Sequence, residues 1–493
     1  MGDETSKGHM SASEGQGDAC MTAGAPREAL RFYVEASMET EVPAARLMLK
    51  LARAALATGE AATAAAWSAR VVDTGSYAEW VAAAGILLQC PPETIGARRP
   101  PVRVALVATW TTKTFAPLLR LAAARCGLVL EIWEAEYGQY FNETLQTGSK
   151  LYQQDADVIL LLPDERALSI EIEVEPDATA LEAEIARWTT VWDVVQAQSS
   201  ASVLQLGIAL RVGDIFGNLA AGFAGSYTAQ GARLNAALAN QAGARDIAFV
   251  DADRLTARHG KESWFDDRSW YLAKIPFSPT ALCRLAHELA LVVAARTGLS
   301  RRCLVLDLDN TLWGGVIGDD GLSGIRLGEG VEGEAYVDFQ RALKTLTTRG
   351  ILLAVCSKND LEVARLPFER HPEMALGLDD TAAFVANWEP KSDGLLKISR
   401  ELDLGLESLT FFDDNAYERE EVRRRLPDVD VSVLPPDPTR FRAALEAYPY
   451  FEPGSFTTAD TSRGDQYRAR AQARVLRDSA GSFDEYQKSL DMV

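Results

Sequence analysis

Leu304-Val305-Leu306-Asp307-Leu308-Asp309-Asn310-Thr311-Leu312-Trp313-Gly314-Gly315 is the stretch on which the fold is decided. A short apolar run beginning at Cys303 ends in two carboxylates two positions apart, followed by Asn, Thr and a glycine pair that stop a strand. In open α/β sheets the carboxyl ends of the strands are where ligands bind. Two uncompensated carboxylates there repel one another and lose hydration, so they normally coordinate a cation or do proton chemistry.

Working outward, Cys303 to Leu306 heads a series of apolar runs separated by helix-length segments: Ile351 to Val355, Ala383 to Ala386, Leu409 to Phe412 and Val429 to Leu434. An earlier series has the same rhythm: Val102 to Ala108, Leu128 to Trp133, Val158 to Leu162, Val203 to Leu210 and Ile247 to Val250. Strands alternating with helices predict an α/β chain of two consecutive three-layer αβα domains with parallel sheets, joined by a helix at about Pro279 to Arg296. Between Arg27 and Gln89 an Ala/Leu pattern at helical spacing, broken at Pro43, Gly59 and Gly75, predicts three or four short packed helices. Cys90-Pro91-Pro92 through Pro100-Pro101 reads as a linker. The expected organisation is residues 1–24 disordered or a tag remnant (Gly8-His9-Met10), 25–98 helical, 100–300 and 301–450 the two α/β domains, and 451–493 a linker and terminal helix.

At 493 residues the chain is too long for one core, and 70 acidic against 50 basic residues give a net charge of −20. That balance disfavours nucleic acid as a partner. Arg419, Arg423, Arg424 and Arg425, and in the tail Arg468, Arg470, Arg474 and Arg477, read as solvated helix faces, with an acidic protein partner as the alternative. No apolar run is long enough to span a bilayer and no secretory pattern opens the chain, so no membrane and a cytoplasmic location are expected. Six scattered cysteines without a CxxC pair, and only four histidines, argue against a zinc site or a disulfide framework.

Further polar residues follow the later strands in order: Ser357 after Ile351 to Cys356, Lys391 after Trp388-Glu389-Pro390, and Asp413 and Asp414 after Thr410-Phe411-Phe412. The series, with DxDxT at its head, resembles the haloacid-dehalogenase (HAD) superfamily and implies a HAD-like Rossmannoid fold. By that resemblance Asp307 is the nucleophile that becomes phosphorylated, and Asp309 protonates the leaving oxygen and then activates water. Mg²⁺ is implied on Asp307, the Asp309 carbonyl and Asp413 or Asp414. Thr311, Ser357, Lys358 and Asn359 are implied in substrate binding, and Ser357 and Lys391 in offsetting phosphoryl charge. The Gly314 to Gly333 flap and the Ser357 to Lys391 interval are too short for a folded cap, and an uncapped site admits a macromolecule.

Asp307-Leu-Asp-Asn-Thr-Leu-Trp-Gly-Gly-Val-Ile-Gly-Asp-Asp-Gly, Val355-Cys-Ser-Lys-Asn359 and Phe412-Asp-Asp-Asn-Ala-Tyr-Glu-Arg419 resemble the FkbH-like family of polyketide assembly lines. The resemblance implies that 1,3-bisphosphoglycerate is dephosphorylated and its glyceryl group passed through an enzyme cysteine to the phosphopantetheine thiol of an acyl carrier protein. The matching cysteine is Cys356, whose thiolate beside Lys358 and a cation would be favoured. A buried structural cysteine is the competing reading, and Cys356 and Ser357 reach one site only if the strand ends there, which Asn359-Asp360 favours. A plain Mg²⁺-dependent phosphatase needs no thiol, and a docking module with a vestigial site needs none of this chemistry. The first α/β domain resembles SGNH-type esterases but is degenerate: Thr109-Trp110-Thr111 lacks a serine, no histidine follows Asp266-Asp267, and only Asn218 carries over. Relatives often continue into an acetyltransferase-like region, so a chain excised from a larger protein is one expectation.

Overall fold

The computed structural model describes residues 11–170 and 178–453. The chain divides into two compact units, 1–297 and 298–493. The Gly8-His9-Met10 remnant, the tail arginines and nearly all of the expected linker and terminal helix lie outside the described residues.

The first unit opens with helices Ala12–Thr22, Pro26–Met38, Ala45–Ala57, Ala61–Arg70 and Tyr77–Leu87. The first corrects the expectation of disorder before residue 25. Its Gly/Ser/Ala composition hid specific tertiary partners. Ser11 caps it by accepting from the Glu14 amide at 3.1 Å, and Glu14 is buried against Lys50 Nζ at 2.8 Å. Gly17 lies against the Tyr33 ring, where any Cβ would come within 2.4 Å. The next three breaks fall around Pro43, Gly59 and Gly75.

Five parallel strands follow: β1 Val102–Ala108, β2 Leu130–Glu134, β3 Val158–Leu162, β4 Ser202–Leu206 and β5 Ala248–Val250, in the order β2-β1-β3-β4-β5. Ala105, Val107, Ile159, Leu161 and Val203 face one way, onto Trp188 and Trp192 of helix Ala178–Gln198 and Leu234 and Leu238 of helix Tyr227–Ala244. Strand β4 stops earlier than its apolar run because Asn235 takes over the backbone. Asn235 Oδ1 accepts from the Ile208 amide at 2.9 Å and Nδ2 donates to the Ile208 carbonyl at 2.8 Å. Helix Pro279–Arg296 closes this unit.

The second unit holds β6 Cys303–Leu306, β7 Leu352–Ser357, β8 Ala383–Ala386, β9 Leu409–Asp413 and β10 Asp430–Val433, all parallel, in the order β10-β9-β6-β7-β8. Leu304 and Leu306 face Phe339 and Leu343 of helix Gly330–Thr347 and Phe441 of helix Phe441–Ala447. Cys303 and Val305 face Leu395 and Ile398 of helix Lys391–Leu402 and Val422 of helix Ala416–Arg425. Helices on both faces explain why β6, β7 and β8 are nearly continuous apolar runs instead of alternating, whereas the edge strand β10 alternates. Among the described residues no helix is long and apolar enough to cross a membrane.

The amino edge of this sheet is fastened by Arg301, which is 9% exposed. Its guanidinium donates to the carbonyls of Glu407, Leu409 and Asp428, at the entries to β9 and β10. Arg301→Met would leave these buried acceptors unsatisfied and should lower unfolding free energy by about 2–4 kcal/mol. Urea denaturation of the second unit's transition reads this; an unchanged midpoint would show that the three contacts add nothing.

Candidate functional site

Strand β6 is central, and its carboxyl end lies between those of β7 and β9, where chain connections diverge to opposite sides of the sheet. Asp307 follows β6 directly. Its amide donates to the Phe412 carbonyl at 3.0 Å, which sets it beside Asp413 at the end of β9. Carboxylate oxygens of Asp307, Asp413 and Asp414 lie within 4.8 Å of one another. Lys391 begins the helix after β8 and is 2% exposed. Its ammonium reaches Asp307 Oδ1 at 2.6 Å and Asp413 Oδ2 at 3.1 Å and donates to the Cys356 carbonyl at 2.7 Å. Those two carboxylate oxygens, both buried, have no hydrogen-bond partner besides this ammonium.

The electrostatics follow from the geometry. Burial, then the Asp307 charge, pushes Asp413 up to about 7 against the pull of Lys391, and the same two causes push Asp414 up to about 6. Burial works to lower the Lys391 ammonium, but Asp307 and Asp413 outweigh it and hold it above its ordinary value. One ammonium among three carboxylates leaves excess negative charge facing inward. Three hard oxygen donors, two of them buried oxygens without a hydrogen-bond partner beyond Lys391 and the third on the exposed Asp414, suit a divalent cation with oxygen ligands.

Asp309 is held by a second network. Its Oδ1 accepts from Trp313 Nε1 and from the Ile317 amide, both at 2.9 Å, and its Oδ2 accepts from Asn359 Nδ2 at 2.8 Å. Asn359 Nδ2 also reaches Ser357 Oγ at 3.2 Å, so the serine accepts there and keeps its own proton to donate. Between the two aspartates' network and the flap stands Asn310, left-handed at φ 53°, a conformation asparagine tolerates; its Oδ1 accepts from the Gly315 amide at 2.9 Å. The flap is closed by paired backbone hydrogen bonds between Gly314 and Arg326 and carries the short helix Ile317–Asp320. Thr311 is fully buried, and its hydroxyl has no protein partner.

Two expected residues are placed elsewhere. Cys356 lies one position before the strand's end, so its side chain takes the opposite face from Ser357 and joins the apolar core with Leu395, Ile398 and Phe411. Its Sγ lies 3.6 Å from the Lys391 carbonyl and so close to Gly394 that a Cβ there would stand 2.5 Å away. Burial pushes the thiol up to about 12, despite the opposing pull of Lys391. Lys358 offers it no counter-charge, because its ammonium is paired with Glu418 at 2.6 Å. With Cys356 in the core and Lys358 on Glu418, the expected activation of this thiol by Lys358 is not provided by the geometry. The sequence reading also missed Arg419, taken for part of a solvated face. It is 4% exposed and donates to the Asp413 carbonyl at 2.6 Å. The signal for it was its place in the Phe412 to Arg419 string.

Residues 103–294 match the family model for the FkbH N-terminal domain. The N-terminal part of protein BF1531 from Bacteroides fragilis, described as containing a phosphatase domain complexed with Mg, is 32% identical, with a TM-score of 0.69 over 77% of this chain and 100% of that one. The matched share exceeds either unit alone. The chain belongs to the FkbH-like family. The second unit of this FkbH-like protein is a HAD-like phosphatase domain. Another solved structure, 17% identical over 38% of this chain at a TM-score of 0.22, bears on neither fold nor site. No curated protein matches.

Lys391→Met should reduce phosphate release by about 10²–10³, the usual cost of one preorganised donor facing developing charge. Steady-state phosphate release from a phosphomonoester measures it, and a loss under tenfold would place Lys391 in support of the fold alone.

Proposed function

We propose that this FkbH-like protein is a Mg²⁺-dependent enzyme that dephosphorylates 1,3-bisphosphoglycerate and loads the glyceryl group onto the phosphopantetheine thiol of an acyl carrier protein in polyketide biosynthesis. The observation that carries the phosphatase half is the buried Lys391 ammonium bridging Asp307 and Asp413. Family membership and the absence of a separate cap among the described residues support the carrier half: between β7 and β8 lie helix Leu361–Arg370 and a single short 3-10 turn, Leu378–Asp380.

In this reading an Asp307 carboxylate oxygen attacks phosphorus, the bond from phosphorus to the leaving oxygen breaks, and an aspartyl phosphate forms. Asp309 hands a proton to an alkoxide leaving group and then takes one from the water that cleaves the intermediate. The Ser357 hydroxyl and the Lys391 ammonium meet the phosphoryl oxygens, with Thr311 Oγ as a further donor. Bound Mg²⁺ would be held by Asp307, Asp413, Asp414 and the Asp309 carbonyl and would neutralise charge on the phosphoryl group.

Loading is a separate displacement. A thiolate attacks the acyl carbon, the bond from that carbon to the phosphate oxygen breaks, and phosphate leaves as the thioester forms. The second unit contains two cysteines, Cys303 and Cys356, and both are buried. We therefore assign the attacking thiol to the carrier's own phosphopantetheine arm, not to Cys356.

With no carrier protein present, Asp307→Asn should abolish enzymatic phosphate release, because an amide cannot form the acyl phosphate and is a poorer cation ligand. Release at the wild-type rate would sink the phosphatase assignment. Cys356→Ala should keep loading of a carrier protein, read by intact-mass spectrometry after incubation with 1,3-bisphosphoglycerate and Mg²⁺. Loading lost while phosphate release continues would restore an enzyme-bound thioester.

A further inference from the structure

The first sheet has its own switch point. With the order β2-β1-β3-β4-β5, the connections diverge between β1 and β3, and ligands of such sheets bind at the carboxyl end of that gap. Thr109, after β1, and Asp164, after β3, meet there: the threonine hydroxyl donates to Asp164 Oδ1 at 2.7 Å. Asp164 is 3% exposed.

Two guanidiniums converge in front of this pair. Arg166 Nη1 holds Asp164 Oδ2 at 3.1 Å, and Arg211 Nε holds Glu165, whose other oxygen accepts from Tyr227 Oη at 2.7 Å. Each guanidinium also has an aromatic backing, with Arg166 Cζ 4.0 Å from the Trp270 centroid and Arg211 Cζ 4.7 Å from that of Phe265. One edge of each is thus neutralised by a sheltered carboxylate and one face is stacked. The remaining Nη2 atoms lie 3.6 and 2.9 Å from the same oxygen, Asp267 Oδ1, as ion pairs without a hydrogen bond, so the buried Arg211 Nη2 has no hydrogen-bond partner. Asp267 differs from the other acids: its side chain is 63% exposed, at the start of helix Asp267–Ala273.

We propose that Arg166 and Arg211 form an oxyanion-binding site for the phosphate or carboxylate group of a ligand, and that Asp267 occupies it in the ligand-free protein. Guanidinium forks fixed by carboxylates and aromatic rings are preorganised for planar or tetrahedral oxyanions. Ordinary surface arginines lack such bracing. With Asp267 swung out, Asp164 and Glu165 balance the two arginines, so an incoming anion meets two converging donors and no net repulsion. The ester-cleaving machinery absent from this edge is not required, since recognition needs no nucleophile. The proposal is independent of the phosphatase chemistry of the second unit.

The test is calorimetric titration of the full chain with inorganic phosphate, and separately with acetate, in EDTA. Asp267→Ala removes the internal competitor and should tighten binding about two- to fivefold, the weight of one exposed ion pair. Adding Arg211→Gln, or Arg166→Gln in a second variant, should erase that gain. Phosphate bound in the second unit contributes equally to every variant and cancels. A gain with phosphate alone assigns a phosphate-bearing ligand, and a gain with acetate alone a carboxylate. Binding by Asp267→Ala equal to wild type with both anions, or a gain that survives both arginine substitutions, would overturn the proposal.

Discussion

A single buried ammonium lets three carboxylates share the end of one sheet. Asp307 and Asp413 are brought side by side by the register of β6 on β9, in which Leu306 pairs with Phe412, and the strand pairing leaves them no means of separating. Like charges so placed in a sheltered site are costly unless a cation lies among them. Lys391 supplies one, and its own position is set from below. It anchors to the Cys356 carbonyl, while the Cys356 side chain packs against Gly394 one turn further along the same helix. The cysteine thus contributes to the site through its backbone and its volume, and its neighbours Ser357 and Asn359 contribute through polar side chains.

Among the described residues most of the ten strands were legible because they read as short apolar runs, although β2 and β10 are only partly buried; the ends were less so. Strand β4 stops at Leu206 because a side chain, Asn235, competes for the backbone of Ile208, and no local pattern announces a partner on another element. The first helix escaped notice for a related reason. Ser11, Gly17 and Glu14 look like loop composition until Tyr33 and Lys50 are beside them. At the site, aspartates, serine and lysine were readable as an ordered series of strand-end polar residues. What could not be read was direction. Cys356 and Ser357 are adjacent letters, yet a strand sends them to opposite faces, one into the core and one toward Asn359. Lys358 and Arg419 were similarly ambiguous, since a charged residue in a loop or on a short helix is paired or solvated according to neighbours distant in sequence.

Both sheets obey one architectural rule with different chemistry. At the switch point of the second, acids face a lysine and leave negative charge in excess, an arrangement that calls for a metal cation. At that of the first, two braced arginines close on a tethered carboxylate. The contrast places a HAD-like phosphatase site in the second unit and a different charge arrangement at the same position of the first unit's sheet.

The most direct test of the central claim, that Asp307 is the group phosphorylated beside Lys391, is chemical trapping. The full chain is mixed with 1,3-bisphosphoglycerate and Mg²⁺, quenched with borohydride and digested for peptide mass spectrometry. An aspartyl phosphate is reduced to homoserine under these conditions, and the account predicts homoserine at position 307 only when substrate and Mg²⁺ are both present. Homoserine at Asp413 or Asp414 instead, or an acyl adduct on Cys356 with Asp307 untouched, would contradict it.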